Sequence, residues 1–241
     1  MRDNLIGHWK MDEEDLGFVD DSSGNELHGK VIDYSSGEEL HGESKLAKVI
    51  GGKFTRGLHF AGKEDMVHIY HSPVLDFGKS SFSFSGWIKI EDYSYPMTSL
   101  AVRQGFRCHG YKSGITPGWD IGHGLQKDKT QICIRDEHGN VARTFIKHDG
   151  KNAHSKLKGK WTHYGLVFDR SVGKAHLYLN GEKQADYADI SHVTGSINNK
   201  RYLTFAYMYG WMTKGSIDEY RLFKGALTDD HMRMVFKGYA M

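Results

Sequence analysis

Three stretches of the chain carry residue types that can do chemistry at a useful spacing. The loop Val19 to Gly29 reads VDDSSGNELHG and sets Asp21 ahead of Ser, Ser, Gly and Asn, residues that tolerate turn and left-handed backbone and bond their own main chain. Such a loop can turn several oxygens inward, as a hard cation such as calcium requires; an ordinary Asx turn uses the same residues. The least regular stretch, Gly105 to Gly124, reads GFRCHGYKSGITPGWDIGHG and gathers Arg107, His109, Tyr111, Trp119 and His123. Aromatic faces hold the C–H surfaces of sugars, and Arg, Asn, Asp and His bond hydroxyls or acidic groups. On that basis Arg107, His109, Tyr111 and Trp119, joined by Tyr207 and Trp211 further along, are the candidate glycan-binding residues, with Trp87 and Tyr209 as further possible platforms. The third stretch, Gly215 to Thr228 (GSIDEYRLFKGALT), carries the acidic pair Asp218 and Glu219. Period two over Ser216 to Phe223 places Ile217, Glu219, Arg221 and Phe223 on one face and Ser216, Asp218, Tyr220 and Leu222 on the other, so the two carboxylates are expected to diverge.

The elements that must position these residues are short strands. Ser81 to Ile90 (SFSFSGWIKI) alternates most cleanly, with Phe82, Phe84, Ile88 and Ile90 on one face and Trp87 on the polar one. Leu5 to Met11 is expected as a strand with Leu5, Trp9 and Met11 sharing a face, and Met66 to Tyr70 as one with Val67 and Ile69 inward. Further strands are expected at Leu58 to Phe60, Leu100 to Gln104, Gln131 to Arg135, Arg143 to Lys147, Trp161 to Asp169 and Ala175 to Asn180, the last ending in the hairpin signal Asn180-Gly181. Tyr202 to Trp211 reads as one long strand with Leu203, Phe205, Tyr207 and Tyr209 on one face. Thr228 caps a short terminal helix running to about Phe236, with Asp229 and Asp230 where a helix N-terminus favours negative charge. About a dozen strands and one short helix make an all-β antiparallel sandwich, one domain over residues 1–241.

Composition agrees. Of 241 residues 39% are hydrophobic and 12% aromatic, enough for a sizeable core, and 29 Gly against 3 Pro suit many tight turns. Lys and Arg number 32 against 30 Asp and Glu, so the balance gives no reason to expect a nucleic acid or other polyanion. The 15 histidines form no HxxxH or HExxH pair. Cys108 and Cys133 could bridge, which spacing alone does not decide. The opening MRDNLIGHWKMDEE holds no apolar run, hence neither signal peptide nor membrane span. A secreted or cell-surface protein whose leader has been removed is expected; the sequence does not separate it from a cytoplasmic one.

Taken in order, LIGHWKMDE, VDDSSGNELHG, GLHF, FSFSGWIKI, GWDIGHG, WTHYGLVFD, AHLYLNGEK and GSIDEYRLFKGALTDD run nearly end to end and resemble the concanavalin A-like, laminin-G-like (LamG) jelly-roll family. The resemblance implies two stacked, curved antiparallel sheets and a structural calcium ion held by Asp21, Asn25 through its carbonyl, and Asp218. Ala61 departs from it, standing where many relatives carry Asp. It also implies that Trp9, Trp87, Trp119 and Trp161 serve as core or edge packing. Members are mostly carbohydrate-binding or adhesive modules attached to larger enzymes, so a lectin-like, non-catalytic module for a polysaccharide or other glycan is the expected function. Hydrolysis needs two carboxylates on one cleft, and the Glu-x-Asp-x-x-Glu strand of sandwich glucanases is missing. Uronic-acid elimination could draw on Arg103, His109, Tyr111, His123, Gln131, Arg135 and Tyr207, yet only Gln131-Ile132 matches the alginate-lyase pattern Gln-Ile-His. A polysaccharide lyase is the alternative, and a LamG protein-adhesion module the third reading.

Overall fold

In the computed structural model, residues 4–15, 17–33, 47–62, 65–91, 97–104, 116–124, 128–150, 154–208 and 211–239 are described. In chain order the strands are β1 (Leu5–Trp9), β2 (Phe18–Val19), β3 (Gly29–Asp33), β4 (Lys48–Gly51), β5 (Arg56–Ala61), β6 (Asp65–Ile69), β7 (Phe82–Ile90), β8 (Met97–Gln104) and β9 (Gly118–Gly124). After these come β10 (Lys129–Arg135), β11 (Val141–Lys147), the single-turn helix α1 (His154–Leu157), β12 (Thr162–Asp169), β13 (Lys174–Leu179) and β14 (Glu182–Asp189). The chain closes with β15 (Leu203–Phe205), β16 (Tyr207–Met208), β17 (Trp211–Met212), β18 (Lys214–Lys224) and α2 (Asp229–Phe236). The first sheet runs β14-β13-β12-β7-β18-β5-β4 with β1 also on β18, and the second runs β11-β10-β9-β8-β15-β6-β3-β2, with every pairing antiparallel. The expected sandwich of two antiparallel sheets with a short C-terminal helix is therefore the observed architecture.

The core lies where alternating side chains of the two sheets meet. From β7 it takes Phe82, Phe84, Ile88 and Ile90, as their alternation requires, and from the second sheet Val67, Ile69, Trp119, Ile121, Ile132, Ile134, Leu203 and Phe205. Trp9 donates its indole N–H to the Leu27 carbonyl at 2.7 Å, so its one polar atom is satisfied at full burial. Cys133 is disulfide-bonded, and the one other cysteine of the sequence, Cys108, lies outside the described residues.

β18 organises the first sheet. Along one side it pairs with β7 throughout; along the other, Lys214 to Ile217 pair with β5 and Tyr220 to Phe223 with β1. A bulge between Asp218 and Arg221, with Glu219 in left-handed backbone at φ 53°, marks the change of partner. The extra residue shifts the alternation, so Ile217, Tyr220 and Leu222 enter the core together, while Phe223 turns outward beneath α2. The uninterrupted period expected over Ser216 to Phe223 is corrected by this bulge. A similar irregularity between Leu5 and Gly7 sends Leu5 to the outer face, away from Trp9 and Met11. Ala206, at φ 69°, ends β15 and keeps Tyr202 to Trp211 from forming a single strand.

The outer face of the first sheet is closed by α2. Thr228 caps it, accepting the His231 N–H, and Met232 and Val235 bury against Val167, Tyr178 and Phe223. Gly165 makes this approach possible, because a Cβ there would sit 2.4 Å from the Met232 sulfur. Trp87 is covered at the far end of the helix: Phe236 stacks on it at 5.4 Å, Phe54 meets it edge-on at 6.0 Å, and the Lys53 ammonium lies 4.5 Å from its ring centre. At the opposite end of the sandwich the edge strands β11 and β14 are linked by side chains. Asp186 accepts the Lys147 N–H at 2.8 Å, Gln184 accepts the Asp149 N–H at 2.9 Å, and His192 donates to the Val141 carbonyl.

His163 lies beneath α2, fully buried, with its ring 5.4 Å from Trp87 and 5.7 Å from Phe236 and neither nitrogen hydrogen-bonded. Burial first, and the Arg221 charge second, depress its pKa to about 3. Because the folded chain holds a neutral imidazole that the unfolded chain protonates near its ordinary pKa, the stabilisation is complete above about pH 6.5 and is lost as pH falls toward 3. Denaturant unfolding at pH 7 and pH 4.5 should show the native protein losing up to about 3 kcal/mol through this residue. In His163→Phe the slope should shrink but not vanish, because His68, depressed to about 4, and His176, also lowered, titrate with the same sign; an unchanged slope would show that His163 is not a titrating group.

Candidate functional site

Register places one row of side chains across the outer face of the second sheet. Phe18 pairs with Lys30, Lys30 with His68, His68 with Thr204, Thr204 with Val102, Val102 with Asp120, Asp120 with Cys133, and Cys133 with Arg143. Since Val19, Val31, Val67, Phe205, Ile121, Ile132 and Ala142 face the core from the same strands, period two turns this row outward. Its centre is buried and its two ends are exposed.

At the β2–β3–β6–β15 end an aromatic platform forms. Just beyond the paired residues Ile69 and Leu203, Tyr70 and Tyr202 both pack against His68, their ring centres 4.9 and 4.3 Å from the imidazole. Tyr70 is 52% exposed and Phe18 42%, and the Lys30 ammonium lies 5.9 Å from the Tyr70 ring centre. Burial, with Lys30 in second place, pushes His68 down to about 4, so its imidazole is neutral near neutral pH and Lys30 carries the local positive charge. Flat, partly exposed rings beside one ammonium can stack on a sugar face and pair with an acidic substituent.

The expected ligand-binding residues fall in different places. Arg107, His109 and Tyr111 lie outside the described residues. Trp119 is on β9, fully buried, and packs on Phe82 at 5.2 Å, so it is a core residue with no ring face open to solvent. Tyr207, 7% exposed, packs with Ile32, Met66 and Met212 on the outer face of the second sheet, next to the platform. Trp211 pairs through its backbone with Met208 in the β16–β17 hairpin. Sequence reasoning missed Phe18, Lys30, His68, Tyr70 and Tyr202. The available signal was that Tyr70 and Tyr202 both stand on the polar side of their alternation; what joins them is the β6–β15 pairing.

The three residues expected to hold calcium do not fit one. Asp21 Oδ1 accepts the N–H groups of His8 at 2.8 Å and Ser23 at 2.9 Å, and Oδ2 accepts the Ser23 hydroxyl at 2.7 Å and the Leu27 N–H at 3.0 Å. Asn25 turns its Nδ2 to the carbonyls of Leu5 at 3.2 Å and Ile6 at 2.9 Å. The loop thus aims donors at Asp21, whereas a calcium cage aims oxygens at a cation. Asp218 belongs to a different contact, its Oδ2 accepting the Lys53 N–H at 2.6 Å and the Phe54 N–H at 3.2 Å. Among the described residues no three His, Cys, Asp or Glu side chains are grouped to hold a metal ion. The bulge also brings the Asp218 and Glu219 carboxylates to the same, outer side of β18, but for separate tasks, since Glu219 pairs with Arg221 and with His8 at 2.8 Å.

Burial, opposed by its two backbone hydrogen bonds, raises the Asp218 pKa to about 7. A carboxyl raised in this way stabilises the fold at low pH and loses that contribution as pH rises through about 7. Asp218→Asn keeps an acceptor for both N–H groups and should raise stability at pH 8 by about 1 to 2 kcal/mol, with no gain at pH 4. Calcium or a chelator should leave the native unfolding midpoint unchanged; a calcium-dependent rise that Asp218→Asn abolishes would instead make this carboxylate a cation ligand.

Residues 68–233 match the sequence profile of the Laminin_G_3 family, in the Concanavalin A-like lectin/glucanases superfamily, over more than half of the chain. No curated protein sequence matches. Solved structures that are similar include the binding domain of Paraclostridial Mosquitocidal Protein 1, with TM-score 0.71 and 16% identity over 99% of this chain and 53% of that one. The botulinum neurotoxin serotype D ligand binding domain in complex with N-acetylneuraminic acid superposes at 0.69 with 14% identity, over 99% and 52%. The binding domain of botulinum neurotoxin DC in complex with rat synaptotagmin II does so at 0.66 with 17% identity, over 98% and 52%. The chain spans about half the length of these structures, and at such identities the likeness is one of fold. With the two-sheet architecture and the profile match in agreement, the chain belongs to the concanavalin A-like lectin/glucanase superfamily, in its Laminin_G_3 branch.

Proposed function

We propose that this protein is a carbohydrate-binding, lectin-like module, secreted or displayed at a cell surface, that holds a glycan without transforming it. The observation that carries the reading is the platform of Tyr70, His68 and Tyr202 beside Lys30 on the outer face of the second sheet. A sugar ring stacks on the exposed Tyr70, held in place by the buried His68 and by Tyr202 packed against it, and Lys30 favours a residue carrying a carboxylate. Fold alone would not decide this; aromatic exposure and charge on one face support it. A bound N-acetylneuraminic acid in one structural neighbour is in keeping with an acidic sugar as ligand. The disulfide at Cys133 suits an oxidising, extracytoplasmic setting.

Calorimetric titration with uronic-acid polysaccharides, sialyllactose and neutral polysaccharides, read alongside absorbance for new unsaturated ends, tests the proposal. Saturable binding of an acidic glycan is expected, weakened about tenfold by Tyr70→Ala and more selectively, for acidic over neutral ligands, by Lys30→Gln. Unsaturated product would make the protein a lyase. Binding untouched by Tyr70→Ala would remove the platform from the site, and silence toward every glycan would favour a protein partner.

A further inference from the structure

We propose that the cavity between the outer face of β12–β14 and the first turn of α2 is a second saccharide site, selective for neutral sugars and independent of the Tyr70 platform. The cavity measures about 570 Å³, inside the ~300–1,000 Å³ range of small-molecule sites. Val167, Ala226 and Leu227 give it an apolar floor, and Asp169, His176, Tyr178, Lys183, Asp229 and Arg233 line it with polar groups.

Two of the carboxylates engage only one of their oxygens among the described residues. Asp229 Oδ1 accepts the Tyr178 hydroxyl at 2.6 Å and lies 3.4 Å from the Lys183 ammonium, while its Oδ2 has no hydrogen-bond donor among the described residues. Asp169 is alike, its Oδ1 accepting the Ser171 N–H at 3.1 Å, the Ser171 hydroxyl at 2.6 Å and the Ser81 hydroxyl at 3.4 Å, with no donor to Oδ2 among the described residues. Carboxylate oxygens of this kind accept from vicinal sugar hydroxyls, which are donors, and repel an anionic substituent. His176 pairs across the ladder with Tyr187, their ring centres 5.9 Å apart. Tyr187, next to His176 and just outside the cavity lining, is 45% exposed; the Lys174 ammonium lies over its ring 4.4 Å from the centre, and the ring surface left open can meet a sugar ring.

Charge separates this site from the platform on the opposite sheet. The cavity carries the carboxylates of Asp169, Asp229 and Asp230 against the cations Lys183 and Arg233, and Lys174 over the Tyr187 ring brings the site into charge balance. Its histidine adds no charge, since burial first and then Lys183 and Lys174 lower the His176 pKa. A charge-balanced lining with carboxylate acceptors suits a neutral hexose oligosaccharide, whereas the cation at Tyr70 suits an acidic one.

Heteronuclear NMR titration of the full chain with maltotriose, cellotriose, mannotriose and lactose, with sialyllactose as the acidic comparison, tests the inference. The expected result is saturable shifts on β13, β14 and the start of α2 with at least one neutral sugar. Affinity should fall about tenfold in Tyr187→Ala, an exposed substitution that leaves the fold intact, and should be unchanged in Tyr70→Ala. No shift with any neutral sugar, shifts confined to the Tyr70 face, or sialyllactose binding at Tyr187 as strongly as the neutral sugars would each overturn it. Because the two variants lie on opposite sheets, failure here and failure of the Tyr70 reading are separately visible.

Discussion

The change of partner along β18 is the constraint on which the first sheet depends. One continuous strand pairs with β7 on one side and must serve both β5 and β1 on the other. An extra residue at the point of change re-aims the strand and keeps Ile217 and Tyr220 inward. Glu219, the residue in left-handed backbone, is held by Arg221 and by His8 of β1, so the new partner itself helps to fix the bulge that admits it. The same turn leaves Asp218 free to anchor the backbone of Lys53 and Phe54, whose side chains cover Trp87. Strand pairing, loop position and the shielding of an outer-face tryptophan thus follow from one inserted residue.

Where local chemistry decides the structure, the sequence was a reliable guide. The β7 alternation, the Asn180-Gly181 turn with both residues at positive φ, and the Thr228 cap all appear as their residues dictate. Glu219 and Ala206 were not legible, because neither is a residue that advertises positive φ; tertiary contacts impose it, and each breaks an alternation that otherwise looks continuous. The platform was hidden for another reason. Tyr70 and Tyr202 are far apart in the chain, and only register makes them neighbours. The Asp21 loop was read correctly as a turn-former; the calcium came from family resemblance, and the donors converging on Asp21 do not support it.

The two outer faces are finished differently. A helix covers much of the first sheet and leaves a polar cavity at its N-terminal end; the second sheet carries a row of polar and aromatic side chains. Architecture shared with toxin binding domains at 14 to 17% identity leaves such surface detail to the individual chain.

The side-chain links between β11 and β14 bear on whether this edge can pair with another chain. A terminal strand of a sheet ordinarily exposes main-chain groups that can template an incoming strand, the first step of edge-to-edge polymerisation. Here N–H groups of Lys147 and Asp149 and the carbonyl of Val141 are already engaged by Asp186, Gln184 and His192. An invading chain would have to displace three sequestered contacts before gaining its own ladder. At this end of the sandwich the fold therefore resists strand addition.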